Sequence, residues 1–584
     1  MTTSEWRDAS LARQIGELAG AFFPEFTSTA PSQPQAPVGA VSSPVEAATP
    51  PAGRVGTPSV ADVYSQAPLG AGAPLGGTST PVESYIAPAA SPSVPGTPGP
   101  GLTPAVDSYT VPGWSGPGDP FAVDPLADQS VAAATAPAAS APVSPRLLQV
   151  DQPDPGPAGQ PSSAGTGGGR HRLAHVGTRS VDSIRADFPI LSEVVSGKPL
   201  VWFDNGATTQ RPRAVIDRLV HYYEHENSNV HRAAHELAAR STDAYEGARQ
   251  RVADFIGAGS PDDIVFVRGT TEGVNLIARS FVKPRLSPGD EIVLTILEHH
   301  ANIVPWQIIA AETGAVIKVA PVDASGQILV GEYAKLFTPR TRFASFAHVS
   351  NALGTITPAA ELIAIAHSHG VPVLLDAAQS VSHIPLDVQA LDADFLVFSG
   401  HKIYGPTGVG AVYGKKELLD AAAPYQGGGN MIADVTFEKT VYQKAPAKFE
   451  AGTGTIADAV GLGAALDYVS SVGIENIEAY EHLLLTYGTQ VLEAIPGVHI
   501  IGNATRKASI LSFVVDGHPV EDVGQALSRE GIAVRAGHHC AQPVLRHFGL
   551  EATVRASLAF YNTCDELDSL GAVLSRLVGH PKVS

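Results

Sequence analysis

The segment SGHKIYGP, residues 399–406, sets His401 and Lys402 directly behind the apolar run Phe395-Leu396-Val397-Phe398. A lysine that close to a buried strand is badly placed for plain solvation and well placed to condense with a carbonyl. A second apolar run, VPVLL, leads into Asp376, with Gln379 three residues on. An aspartate and a lysine at the ends of two strands of one sheet can converge on one ligand. The lysine would then form a Schiff base with an aldehyde, and the aspartate would keep a pyridine nitrogen protonated, making the ring an electron sink. Each residue also has a plainer reading alone, Asp376 as a helix cap and Lys402 as a solvated charge.

Three further stretches suit the same chemistry. FVRGTTEG puts Gly269, Thr270 and Thr271 between a strand and a helix, where hydroxyls and free N–H groups bind an anion such as a phosphate. No G-x-x-x-x-G-K-[ST] is present, so a nucleotide is not implied. LEHHANIVPW puts His299 and His300 at another strand end, where an imidazole can stack on a ring, serve structure or bind metal. RAGHHCAQP holds Cys540 in a short polar loop between Gly537 and Pro543, the setting of an accessible nucleophilic thiol rather than a core cysteine. His538-His539-Cys540 and His231-x-x-x-His235 contain zinc-ligand types. Without C-x-x-C or H-E-x-x-H, however, we expect no metal.

The elements that must hold these residues alternate. DDIVFVRG, GDEIVLTIL, GAVIKVA, RFASFAHVS, VPVLLDAA and ADFLVFSG read as short apolar strands, with helical stretches such as AAELIAIAHSHG between them. That alternation predicts an α/β fold with a mainly parallel sheet, and ligands of such sheets sit beyond the C-terminal strand ends. The candidate residues fall there.

The front of the chain is different. Of 47 prolines, 28 lie within residues 1–170, and the first lysine is Lys198. Rich in Pro, Ala, Gly and Ser and poor in apolar runs, residues 26–175 read as a disordered arm. Before it, residues 1–25 pattern as a short amphipathic helix, with Leu11, Ile15, Leu18 and Phe22 at helical spacing. VADVYS, PVESYI and AVDSYT repeat an acidic residue two positions before Tyr64, Tyr85 and Tyr109, a spacing that suits several weak linked contacts. The net charge of −19 gives no footprint for nucleic acid or an anionic membrane. Two cysteines, no long apolar run and no signal-like start lead us to expect a cytoplasmic protein with no membrane partner.

From about Val181 to Pro581 the sequence resembles the group II, SUF-type cysteine desulfurases, pyridoxal-phosphate enzymes of fold type I. The motifs that carry the likeness stand in family order: DNGATTQRP, VHRAAH, FVRGTTEGVNLIA, EHHANIVPW, HVSNALGT, DAAQS, SGHKIYGPTGVG, GGGNMI, FEAGT, RAGHHCAQP and RASLAFYNT. The resemblance implies a large pyridoxal-phosphate domain over about 205–455, with a seven-stranded sheet, and a smaller α+β domain from 181–204 and about 470–584. It makes Lys402 the Schiff-base lysine, Asp376 the pyridinium partner, Gln379 a bond to the ring hydroxyl and His299 the stacking imidazole. Thr270, Thr271, Ser399 and His401 would hold the phosphate. Thr453 would reach it from a second subunit, implying a homodimer. Arg555, with Asn351 and His231, would bind the substrate L-cysteine, and Cys540 would receive its sulfur as a persulfide. A short cysteine loop implies a dedicated SufE-like sulfur acceptor. One departure bears on Thr453: the proline common after FEAGT is here Gly454.

The likeness stops short of residues 1–170. An arm of this composition resembles that of desulfurases carried as cargo in encapsulin-type shells, which would place the protein in a nanocompartment through an encapsulin-type shell protein. Two other readings stay open, a selenocysteine lyase of the same fold and a shell-associated sulfur-storage protein.

Overall fold

A computed structural model describes residues 175–231 and 235–579. The helix expected over 1–25 and the three tyrosine motifs lie outside them. Seven runs form one sheet: β1 (Ile264–Val267), β2 (Glu291–Thr295), β3 (Val316–Ala320), β4 (Thr341–Ala347), β5 (Val373–Asp376), β6 (Phe395–Ser399) and β7 (Gly410–Gly414). Their order is β1-β7-β6-β5-β4-β2-β3. Strands β3, β2, β4, β5 and β6 are mutually parallel, whereas β7 runs antiparallel to both β6 and β1, so the sheet is mixed. Most of its strands are apolar without alternation because both faces are buried, as parallel sheets require.

Strand β7 is the one that sequence pattern conceals. Its glycines read as loop, yet two of them are steric necessities. A Cβ on Gly410 would stand 2.4 Å from Phe398 O and 2.7 Å from Gly269 Cα, and one on Gly414 would meet Leu419 at 2.8 Å. Glycine in a strand here marks close approach of neighbouring backbone.

Helices α1 (Arg213–His225) and α2 (Glu236–Phe255) precede the sheet, and α3 (Thr270–Ile277) leaves β1. After the sheet, α4 (Ile456–Val472) packs against both α1 and α2. It is apolar nearly all round, and Val460, Leu462, Leu466 and Val469 are all buried, the pattern of a core helix. Helix α5 (Ile474–Glu493) leads to a second, four-stranded antiparallel sheet. Its strands β8 (Val498–Ile501), β9 (Ile510–Val515), β10 (Arg535–Gly537) and β11 (Thr553–Ser557) stand in the order β8-β9-β11-β10. Helix α6 (Cys564–Gly579) closes the fold. The early segment Val201–Trp202 pairs with Ile532–Ala533, and Asp204 bridges to Ser557, so the chain visits the smaller lobe before it builds the larger one. No helix among the described residues is long and apolar enough to cross a membrane.

Candidate active site

Asp376 is the last residue of β5, in register with Val397 on β6, whose end carries Ser399 and the 3-10 turn Gly400–Lys402. Parallel strands must end at the same edge, so the two residues are brought to one place by pairing alone. The segments after β2 and β4 add His299 and Asn351 to that edge. From the smaller lobe come Arg555 on β11, Arg535 on β10 and the turn that carries Cys540. Together they line one cavity of about 300 Å³, with Thr270, Thr271, Gln379, Ser399 and His401 in its wall.

Its electrostatics follow from burial. Asp376 is 5% exposed, accepts the Ala378 N–H at 2.9 Å, and burial raises its carboxyl above the ordinary range. Burial pushes the Lys402 ammonium down to about 8 against the pull of Asp376. His299 is pushed down to about 3, first by burial and then by Lys402, so its ring is neutral. Its Nδ1 accepts the Ala301 N–H at 3.0 Å, which leaves the proton on Nε2. Arg555 is 2% exposed, donates to Asn351 O at 2.8 Å and to Asp204 at 3.2 Å, and keeps its Nε unpartnered.

At the phosphate end, Gly269 enters α3 with φ +145°, and a Cβ there would meet Ser399 Oγ at 3.0 Å. Ser399 Oγ accepts the Thr270 N–H at 2.9 Å and lies 2.9 Å from Thr270 Oγ1. Gly269 gives helix α3 no side-chain cap, so beyond the Thr270 N–H the next N–H groups of its first turn face an anion site. His401 is pushed down to about 4 by burial, and its carbonyl is held by Thr208 and Thr209. Gln379 Nε2 donates to Gly206 O at 2.7 Å.

At the thiol end, His539 and Cys540 both adopt left-handed φ, +53° and +55°. The Cys540 N–H donates to His538 Nδ1 at 3.0 Å, and Cys540 O accepts the His300 N–H at 2.8 Å. Asn351 Nδ2 grips His539 O at 2.6 Å.

Two expected residues lie elsewhere. His231 pairs with Glu246 at 2.9 Å and does not line the cavity. Thr453 lines a separate groove with Tyr245, Phe266 and Glu450. The cavity also holds groups that the residue-by-residue reading passed over. Arg535 forks onto Asp204, which also takes Arg555, and His539 reaches Thr553 Oγ1 at 2.8 Å. Behind Asp376, the fully buried Glu298 is pushed up to about 8 by burial and held by Thr295 and Asn302. Asp204 and Arg535 belong to DNGATTQRP and RAGHHCAQP, so the signal was in the quoted motifs.

These residues fit pyridoxal phosphate. Asp376 is a buried carboxylate with one backbone donor and, among the described residues, no cation bonded to it, a state that a ring N–H⁺ would relieve. The Ser399–Thr270 cradle at a helix start suits the phosphate, and Lys402 lines the same cavity as both.

The aminotransferase class-V family model matches residues 201–570. The chain is 65% identical over 416 residues to the cysteine desulfurase of Synechococcus elongatus (strain ATCC 33912 / PCC 7942 / FACHB-805), covering 71% of this chain and 66% of that one. It therefore spans just under two thirds of that relative's length. The crystal structure of the cysteine desulfurase CsdA (S-sulfonic acid) from Escherichia coli superposes with a TM-score of 0.64 at 40% identity, over 68% of this chain and 98% of that one. A C-DES variant with glycine covalently linked to its PLP cofactor superposes with a TM-score of 0.58 at 25% identity, over 67% and 98%. Pyridoxal phosphate is thus the family's cofactor as well as the group the cavity fits. On the match over 201–570 and the likeness to nearly the whole of the Escherichia coli enzyme, this chain belongs to the class-V aminotransferase family, among its cysteine desulfurases.

Proposed function

We propose that this chain takes the sulfur of L-cysteine onto Cys540 and releases L-alanine. The observation that carries the reading is one cavity lined by Lys402 and Asp376 from the larger lobe and by Cys540 and Arg555 from the smaller. When bound, pyridoxal phosphate supplies an aldehyde that captures an amine and a protonated ring that takes up electrons.

The chain's own residues do the rest. Arg555, fixed by Asp204 and Asn351 O, receives the substrate carboxylate on a buried guanidinium that has donors to spare. Asp376 holds the proton at the ring nitrogen. Lys402, pushed down to about 8 by burial, is partly neutral at physiological pH and takes the proton from the substrate Cα. Neutral His299 offers a flat face to the ring without adding charge. Cys540 Sγ, as thiolate, attacks the substrate sulfur. One S–S bond forms, one C–S bond breaks, the electron pair stays with the substrate Cβ, and Cβ gains a proton.

The same proposal covers the finer assignments. A short Cys540 turn suits a group II enzyme that hands its sulfur to a SufE-like acceptor. Thr453 and His231 lie off the cavity of their own chain, and Phe437, Val435 and Tyr442 expose apolar surface on the hairpin of Ile432–Val435 and Thr440–Tyr442. Both features support a homodimer in which Thr453 reaches the partner's phosphate. For residues 1–170 the proposal rests on sequence alone: a cytoplasmic enzyme packaged in an encapsulin-type shell through its repeated tyrosine motifs.

Two experiments test this. Purified holoenzyme given L-cysteine should yield equal amounts of alanine and transferable sulfur, with the first equivalent bound to Cys540 by mass spectrometry; alanine without Cys540-bound sulfur overturns the assignment. A chain starting at Val181, co-expressed with a shell protein, should keep its activity and lose encapsulation. Equal loading of the shorter chain removes the arm's role.

A further inference from the structure

Segment 348–357 is a small hairpin, closed by the Val349–Ile356 bridge and by the Ser350 N–H to Thr355 O. Its tip faces the cavity, where Asn351 grips the Cys540 turn. Its base faces somewhere else. Ile356 lines a space of about 370 Å³ at the seam between the lobes, and His348 and Thr357 line an adjoining one of about 500 Å³. The two spaces share Ile384, Glu478 and Arg506. The hairpin base is bonded to the opposite wall: Ile356 N–H donates to Arg506 O at 3.0 Å, and Thr355 bridges to Lys507.

The charges of this groove are left incomplete. Glu481, 2% exposed, accepts at Oε2 from His383 Nδ1 at 2.6 Å and from Ser509 Oγ at 2.8 Å, while Oε1 has no partner among the described residues. His348, 7% exposed, has an unpartnered Nδ1. Lys507 donates to Gly502 O at 2.6 Å, makes no ion pair among the described residues, and is pushed down to about 8 by burial alone. Burial raises the Glu478 carboxyl despite Arg506 nearby. Helix α5 thus presents acids to one side of the space, and segment 505–509 presents bases to the other.

Partly buried charge without a counter-charge is costly, and a ligand of one sign would satisfy one wall and repel the other. A molecule carrying both signs on a short frame satisfies both. We propose that the seam groove binds a small zwitterion of the α-amino-acid class, its carboxylate toward Lys507 and Arg506 and its ammonium toward Glu481 and Glu478. Occupancy acts through the hairpin on the turn that carries Cys540. This proposal goes beyond the reaction assigned to the cavity, and its binding test does not depend on it.

N,N-dimethylglycine is the probe, because a tertiary amine cannot be captured by the cofactor aldehyde. Calorimetric titration of the holoenzyme should show saturable binding at about one site per chain. Lys507→Met and Glu478→Gln lie outside the cavity and should each weaken it about ten-fold, and the second keeps the test decisive if the first does not fold. Acetate and N,N-dimethylethylamine, which carry one charge each, should not bind in the same range. Bound probe should change the rate of Cys540 alkylation by iodoacetamide at least about two-fold, an effect lost in both variants. No saturable heat, equal binding in both variants, or acetate binding as well as the zwitterion overturns the site. Binding with unchanged alkylation overturns the coupling to Cys540.

Discussion

Lys402 follows a strand that is hydrogen-bonded on both sides, whereas Cys540 sits in a turn held by three side-chain contacts besides the His300 N–H on Cys540 O and the Ala541 N–H on His538 O. Gly400 N–H donates to Val409 O at 2.9 Å, and Gly405 N–H to Gly400 O at 2.9 Å, so main chain fixes the lysine on either side. The thiol turn instead contains two successive non-glycine residues with left-handed φ, each costing about 1 kcal/mol or more. His538, Asn351 and Thr553 supply three of its contacts through their side chains. Main-chain register makes a position that survives the loss of any one neighbour. A strained turn pinned by a few side chains is released when one pin is lost. A fixed amine and a releasable thiol are what a reaction needs if sulfur must first be taken and then passed on.

The largest effect should come from the fixed end. Lys402→Ala removes both the covalent anchor and the base, and alanine formation should fall by at least about 10³-fold. The absorbance of the lysine-bound cofactor should vanish with it. Cofactor absorbance that survives dialysis in this variant breaks the assignment. The pH dependence sharpens it. An amine whose value is pushed down to about 8 from the ordinary lysine range is neutral in a fraction that grows about ten-fold per pH unit below 8 and levels off above it. The rate at which apoprotein captures pyridoxal phosphate should follow that curve. A rise that continues to the ordinary lysine value shows that the cavity does not depress Lys402.

Cys540→Ala is the matching change at the other end. Alanine-coupled sulfur transfer should fall below detection while cofactor absorbance and L-cysteine binding stay as in the parent, since the thiol contributes nothing to the fixed end. Loss of the cofactor from this variant would erase the contrast between the two ends.

The same contrast explains what could be read in the sequence. Residues at the ends of parallel strands were legible because an apolar run followed by Asp376 or by His401-Lys402 already states where the strand stops. Six strands of the larger sheet follow from such runs. Strand β7 does not, because Gly410 and Gly414 are dictated by contacts to Phe398 O and Leu419, which are remote in sequence. Arg535 and Asp204 escaped for a related reason. Their meaning lies in each other, 331 residues apart and 2.9 Å in space, and no local pattern states that pairing. Thr453 and His231 are legible only as members of motifs, since their own chain gives them no place in the cavity.

A middle-sized effect separates the pin from the position. Asn351→Ala removes the 2.6 Å bond to His539 O and leaves that carbonyl without its side-chain donor. Sulfur transfer should drop about ten-fold, the worth of one well-made buried hydrogen bond. Because Asn351 also borders the substrate site, rate alone does not isolate its grip. Alkylation of Cys540 in the absence of substrate does, and it should change in rate while the cofactor spectrum stays fixed. Unchanged alkylation means that the turn holds itself, and the contrast between the two ends is then weaker than the geometry suggests.

The smallest effect tests whether chemistry belongs to the turn or to cysteine as such. Cys564 begins α6 and is 8% exposed, packed among the apolar residues of the core, whereas Cys540 lines a cavity with Arg535, Arg555 and Lys402 around it. The cavity gives Cys540 access to a substrate, and access is one requirement of a reactive thiol. Burial at the start of α6 denies Cys564 that access. Cys564→Ala should therefore leave alanine formation and sulfur transfer within error of the parent. Its cost should fall on stability, about 1 kcal/mol for a small buried side chain shortened by one atom, read as a lower denaturation midpoint. A Cys564 variant that keeps its stability but loses sulfur transfer would mean that the second thiol takes part, with Cys540 no longer the sole carrier.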